Sequence, residues 1–250
     1  MNSFDSDCVE IAYIDEGAGE PVLLIHGFAS NVVTNWVDPG WVRTLVRAGY
    51  RVIAFDNRGH GESEKLYDEA VYGAELMAED ARRLLDHLEI ATADVMGYSM
   101  GARITAFLAI AHPGRVRSAV FGGYGINMVR GVAVRPVIAE GLEAASLDEV
   151  TDPTARAFRI FAESSGSDLR ALAVCFRAAG AKITIAGLES IAAPVLCAVG
   201  TADDIAGSAA ELAALMPAGE VLDIPGRDHM KAVGDRVYKA GVVEFLGRRG

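Results

Sequence analysis

Short apolar runs alternate along this chain with stretches of helical period. VLLIH (22–26), YRVIAF (50–55), ADVMG (93–97), RSAVFGG (117–123), APVLCAVG (193–200) and EVLDIP (220–225) read as strands. Several are nearly continuously apolar, as strands are when both faces of a parallel sheet are covered. CVEIAYI (8–14) alternates apolar and polar positions and predicts an antiparallel edge ribbon. GAELMAEDARRLLDHLEI (73–90) places Met77, Ala81, Leu84, Leu85 and Leu88 on one helical stripe. The run after Ser99 repeats that period with Ile104, Leu108 and Ala111 and stops at Pro113-Gly114, while Tyr238, Val242 and Phe245 share a face near the C-terminus. Strand and helix in alternation predict an α/β fold built on a doubly wound, mostly parallel sheet.

The rhythm breaks between Tyr124 and Ile191, where helix signals dominate and AKITIAG (181–187) is the one strand candidate. Ser146 with Glu149 has the spacing of a capping box, and Asp152-Pro153 sets a cap before a first-turn proline. Ser167 is expected to cap a helix carrying Leu169, Leu172 and Phe176 and ended by Gly180. The expected organisation is a core of residues 1–123 and 192–250 with a helical cap, 124–191, inserted between two strands. Such a cap would cover the carboxyl edge of the sheet, where open α/β sheets bind ligands.

Composition narrows the function classes. The chain has 250 residues, 51% hydrophobic and 23% charged, with a formal net charge of −11. That is enough chain for a substantial core, and the acidic balance disfavours nucleic acid and anionic lipid as partners. MNSFDSDCVE has neither the basic nor the apolar region of a secretion signal, and no apolar stretch is long enough to span a bilayer. Cys8, Cys175 and Cys197 are few, odd in number and far apart, which argues against a disulfide framework or a metal or redox pair. These features predict a cytoplasmic protein, monomeric or homo-oligomeric, with no stable membrane association.

Gly97-Tyr98-Ser99-Met100-Gly101 stands where a strand meets a helix and fits the G-x-S-x-G pattern of a nucleophile elbow. Glycine and serine are common enough here to produce the pattern by chance about 0.14 times, so the rest of the chain must decide. Serine nucleophiles need a base, an acid that orients the base, and N–H donors for an oxyanion. Of five histidines, His87 lies in an amphipathic helix, His112 at a helix end, His60 in a glycine-rich loop and His26 beside Gly27. His229 follows the strand EVLDIP and lies downstream of every other candidate, which makes it the expected base. Asp203 and Asp204 follow APVLCAVG; Asp203 is the preferred acid, and Asp228 is disfavoured because it adjoins His229. The expected oxyanion donors are the amides of Met100, at a helix N-terminus, and of Phe28, in the loop after VLLIH.

Ser99, Asp203 and His229 thus occur in the order Ser…Asp…His, each past a strand, with His26-Gly27-Phe28 after an earlier one. In this the sequence resembles the α/β-hydrolase family over nearly its whole length. Asp56-Asn57-Arg58-Gly59-His60-Gly61-Glu62-Ser63 is similar to that family's D-x-R-G-x-G-x-S loop, while Ala102 replaces a glycine found in many relatives. The resemblance implies an acyl-enzyme mechanism with no metal or organic cofactor and a small-molecule acyl substrate, an ester or a lactone. Carbon–carbon bond hydrolase, thioesterase and perhydrolase chemistry are compatible with the same residues, as is a non-catalytic binding protein on the same scaffold. Phe28, Tyr98, Tyr124, Phe158 and Phe161 are the expected substrate contacts. A nucleotide-binding protein is disfavoured, since neither G-x-G-x-x-G nor a phosphate-binding G-x-x-x-x-G-K-[ST] loop is present.

Overall fold

The computed structural model of the chain describes residues 1–131, 136–178 and 180–248. The apolar runs become strands: β1 (Asn2–Asp5), β2 (Glu10–Gly17), β3 (Glu20–Ile25), β4 (Tyr50–Phe55), β5 (Ala93–Tyr98), β6 (Val116–Gly122), β7 (Val195–Gly200) and β8 (Gly219–Ile224). They form one sheet in the order β1-β2-β4-β3-β5-β6-β7-β8. From β4 to β8 all neighbours are parallel, and the β1–β2 ribbon joins β4 antiparallel at one edge.

Three helices, α1 (Trp41–Arg47), α2 (Ala74–His87) and α3 (Met100–Ala111), alternate with the first strands. Between β6 and β7 the described residues hold helices and turns alone: α4 (Asn127–Arg130), α5 (Pro136–Glu143), α6 (Pro153–Ser164), α7 (Leu169–Arg177) and α8 (Ile185–Glu189). The expected cap range also includes residues 132–135 and 179, which lie outside the described residues. The chain then returns through α9 (Ala209–Ala213), α10 (His229–Ala232) and α11 (Arg236–Gly247).

Strand alternation divides the core between the sheet's two faces. Leu23, Ile25, Ile53 and Val95 pack with Met77, Leu84 and Leu108 of α2 and α3. Val22, Leu24, Val52 and Met96 face the other way, against Trp41 of α1 and Tyr238 and Phe245 of α11. A third cluster gathers Ile138, Leu142, Ala155, Ala162 and Leu172 of α5–α7 around Ala29, a residue of the loop after β3. Arg159 strengthens it by donating from one buried nitrogen to the carbonyls of Gly141, Leu142 and Ala144, where α5 ends.

Three local expectations give way. AKITIAG does not form a strand: Ile183 is buried alone and Thr184 caps α8 by accepting from the Gly187 amide at 3.0 Å. Ser146 forms no side-chain cap and opens a single turn closed by the Glu149 N–H to its own carbonyl, 3.2 Å. The cap of α7 is Asp168, whose carboxylate accepts from Ala171 at 2.8 Å, and not Ser167, whose hydroxyl is engaged elsewhere; the helix ends at Arg177, before Gly180. Asp152 does cap α6 as expected, accepting from Thr154 and Ala155 at 2.9 Å each with Pro153 in the first turn. No helix among the described residues is long and apolar enough to cross a membrane.

Candidate functional site

Ser99 sits between β5 and α3 with φ 53° and ψ −117°, a backbone state that L-residues seldom adopt. The surrounding glycines are required by contact. A Cβ on Gly97 would come 2.0 Å from the Gly101 carbonyl oxygen, and one on Gly101 would come 2.0 Å from that of Ile25. The turn is therefore as sharp as the chain allows, and it holds the serine hydroxyl clear of the sheet's end.

The loop after β8 brings His229 to that hydroxyl. His229 Nε2 lies 3.0 Å from Ser99 Oγ, and His229 Nδ1 lies 2.8 Å from Asp203 Oδ2. A carboxylate oxygen only accepts, so Nδ1 carries the ring proton and Nε2 is left to accept from the serine. The Asp203 side chain is fully buried, and its second oxygen accepts from the Ile205 and Ala206 amides at 2.9 and 3.0 Å. Three fixed contacts thus hold the acid. Asp204 is exposed, and Asp228 caps α10 through the Lys231 amide at 2.8 Å. Neither neighbour competes with Asp203 for the imidazole. Linked in this way, the three groups can draw a proton from Ser99 and return it to a leaving group.

The other two expected elements flank Ser99. Met100 is the first residue of α3, where the amide has no intrahelical partner. Gly27 packs so close that a Cβ there would lie 3.4 Å from Ser99 Cβ, which sets the Gly27–Phe28 peptide beside the hydroxyl. That peptide is anchored from the core. His26 Nδ1 donates to the Gly27 carbonyl at 2.8 Å, while its Nε2 accepts from the Asn57 amide at 2.9 Å. Asn35 Oδ1 accepts from the Gly27 amide at 3.1 Å. Because C=O and N–H of one peptide point in opposite directions, holding the Gly27 oxygen also aims the Phe28 N–H.

The loop Asp56–Ser63 supports this arrangement from below. Asp56 accepts from Val32 and Glu62 amides, both at 2.7 Å, so one carboxylate ties the loop after β3 to the loop after β4. Gly61 must be glycine, since a Cβ would meet Asp56 Oδ2 at 2.0 Å. Arg58 makes a two-pronged buried bond to Asp80 of α2, at 2.7 and 2.8 Å, which pins the loop to the helix. His26 and His60 are wholly buried, with rings 5.3 Å apart, and burial lowers their pKa values to about 4 and about 3. Both are neutral framework groups near neutral pH. The sequence pattern exposed the loop, but not this buttressing role, which depends on bonds to residues 22 to 31 positions away.

Of the aromatic residues expected at the substrate, four face the cap or the sheet face beneath it. Phe28 packs edge-on against Phe158 of α6 and Phe176 of α7, with centroids 5.9 and 5.2 Å away, and Phe161 joins the same cluster. Tyr124 is half-buried against the α2–α3 side of the core. Tyr98 is placed differently. It is 5% exposed, shares the opposite face of the sheet with Met96, and donates its hydroxyl to the His229 carbonyl at 2.5 Å. The structure thus puts Tyr98 under the histidine loop and not among the cap aromatics. Its neighbours Gly122 and Gly123 leave room for the ring: a Cβ on either would come within 3 Å of it.

A model of the α/β hydrolase fold matches residues 20–129. A Mycobacterium tuberculosis protein named for non-heme bromoperoxidases, BpoC, is 32% identical over 248 residues, covering 89% of this chain and 91% of its own. The chain belongs to the α/β-hydrolase fold family. The 2-hydroxymuconate semialdehyde hydrolase of a Pseudomonas strain is 40% identical over 131 residues, 52% of this chain and 43% of that one. In three dimensions the enol-lactonase of Burkholderia xenovorans superposes with a TM-score of 0.79 over 98% of this chain and all of its own; at 21% identity this is a likeness of fold. The fold described here is thus shared with proteins whose names carry different substrates.

Proposed function

We propose that the protein is a serine hydrolase of small carboxylic esters or lactones that works through an acyl-enzyme. The observation carrying this reading is the continuous link from Ser99 Oγ through His229 to buried Asp203, with contacts of 3.0 and 2.8 Å. Ser99 attacks the acyl carbonyl as His229 Nε2 takes its proton, and Asp203 stabilises the imidazolium. The amides of Phe28 and Met100 receive the negative charge on the carbonyl oxygen. Collapse of the tetrahedral intermediate expels the alcohol, which His229 protonates. Water then attacks the acyl group with His229 again as base, releasing the acid and restoring Ser99.

In this reading residues 1–123 and 192–250 supply the chemistry and 124–191 the cap. Phe28, Phe158, Phe161 and Tyr124 offer an apolar surface to a small acyl substrate, while Tyr98 serves His229 as a positioning residue. The similarity to a 2-hydroxymuconate semialdehyde hydrolase supports a second reading, in which the same serine cleaves a carbon–carbon bond next to a carbonyl. A fluorophosphonate probe tests the shared nucleophile. It should label the folded parent at Ser99 and leave Ser99→Ala unlabelled; a folded but unlabelled parent would falsify both readings. Turnover of p-nitrophenyl esters and simple lactones then separates ester hydrolysis from carbon–carbon cleavage.

A further inference from the structure

We infer that the cap sets the geometry of the oxyanion donor: Ser165, backed by Ser167, acts as a positioning residue by holding the Ala29 carbonyl. This rests on the serine-hydrolase reading above and adds to it a device by which cap and rate are coupled. Ala29 has φ 58°, a left-handed state that an alanine seldom adopts without outside support. The residue is fully buried within the cap cluster. Its carbonyl oxygen accepts from Ser165 Oγ at 2.9 Å, in the turn that joins α6 to α7. Ser167 Oγ lies 2.8 Å from Ser165 Oγ and 3.4 Å from the same carbonyl. Ser165 Oγ also lies 3.0 Å from the Ala162 carbonyl of its own helix, so its one proton is shared between two acceptors, and Ser167 backs the hold on Ala29 by donating either to Ser165 or to the Ala29 carbonyl itself. Asn31 closes the connection from the other side, its side-chain Nδ2 donating to the Ser165 carbonyl at 3.4 Å.

Phe28 therefore sits between two anchored carbonyls. The core holds Gly27 O through His26, and the cap holds Ala29 O through Ser165. The two anchors are joined, because the Ala29–Ser30 peptide held by Ser165 donates its Ser30 N–H to the Gly27 carbonyl at 3.2 Å, and turning it would release one of the bonds that aim the Phe28 N–H. The Phe28 ring reports to the cap as well, through Phe158 and Phe176. A substrate that alters the packing of α6 on α7 would thus shift an oxyanion donor and change kcat, beyond any effect on its own binding. Removal of a whole donor lowers rates by roughly 10² to 10³, so loosening one that remains present should lower kcat about tenfold.

The test compares parent, Ser165→Ala, Ser165→Thr and Tyr67→Phe. The last breaks a different link between cap and core, the bond from Tyr67 to Asp168 at 2.8 Å, and controls for general loosening of the cap. Two quantities are read: steady-state hydrolysis of p-nitrophenyl butyrate and the 1H–15N amide signal of Phe28. The expected result is a kcat about tenfold lower in Ser165→Ala with KM within about twofold. The Phe28 signal should move in that variant, both effects should be reversed in Ser165→Thr, and neither should appear in Tyr67→Phe. Parent-like kcat and an unmoved Phe28 signal in Ser165→Ala would overturn the proposal, as would equal effects in Tyr67→Phe. If the parent neither reacts with fluorophosphonate nor turns over an ester, the hydrolase reading falls separately. The Phe28 signal then decides the coupling: movement in Ser165→Ala supports it, and no movement overturns it.

Discussion

Acidification from pH 7 to pH 5 should destabilise this protein through His26 and His60. Burial lowers their pKa values to about 4 and about 3, with the bonds to the Gly27 and Arg58 carbonyls opposing. Once the chain unfolds, each titrates near 6.5. Between these values the unfolded chain binds protons that the native protein does not, so stability is full above about pH 6.5 and falls as the pH drops. The limiting slope is about 1.4 kcal/mol per pH unit for each histidine. From pH 7 to pH 5 this integrates to about 2 kcal/mol each and about 4 kcal/mol together. Against a whole-domain stability of roughly 5–15 kcal/mol, that is a large fraction.

Other groups leave this window largely to the histidines. Asp86 and Glu143 are held below their ordinary values by Arg115 and Arg177, so their losses fall at lower pH. Asp56 is pushed up, chiefly by burial, and its contribution has the opposite sign. Urea unfolding at pH 5, 6, 7 and 8 measures the effect, and His60→Asn isolates half of it. The asparagine amide can take over the bond to the Arg58 carbonyl, 3.0 Å in the parent, but cannot titrate. Its loss from pH 7 to pH 5 should shrink to about 2 kcal/mol, whatever its stability at pH 7. A parent whose stability is flat between pH 7 and pH 5, or a variant with the same loss as the parent, would refute the reasoning.

Three further outcomes follow from the geometry. Asp203→Asn should lower ester kcat by about 10⁴, because an amide can present its NH2 to the imidazole and favour the wrong tautomer; exposed Asp204→Asn should stay within about twofold in the same assay. Gly97→Ala should cost more than about 3 kcal/mol in urea unfolding, since its methyl would meet the Gly101 carbonyl oxygen at 2.0 Å, a backbone atom that cannot swing aside. Cys175 and Cys197 are buried with their thiols pushed up to about 12 by that burial, whereas Cys8 is exposed. A disulfide exchange reagent at pH 8 should therefore modify one thiol quickly in the native protein and three after denaturation.

What the sequence revealed and what it hid follow from the range of the interactions involved. A parallel sheet covered on both faces leaves apolar runs that are legible one at a time, and β3 to β7 appear as such runs, while β8, an edge strand with only Ile224 buried, was legible from its Val221, Leu222 and Ile224. β1 escaped because Asn2–Asp5 is a four-residue edge strand with only Phe4 buried. AKITIAG misled because its β-branched residues match strand chemistry, yet Thr184 is spent on capping α8. In the site, Ser99, Asp203 and His229 were legible because each stands just past a strand, where the fold gathers side chains from distant parts of the chain. Strand alternation could have corrected Tyr98: it lies two residues from Met96 and therefore on the face away from Val95, as the structure shows. No local pattern could have assigned Ser165 or Ser167. Between α6 and α7 they look like ordinary turn and cap residues, and their partner lies 136 positions away at Ala29. Groups that react must project at the ends of elements and so leave motifs, whereas groups that hold a backbone in place need only one hydroxyl at the right distance. That asymmetry is why a pentapeptide, read together with Asp203 and His229, pointed to a candidate nucleophile, while the residues that hold the Ala29 carbonyl had to be found in three dimensions.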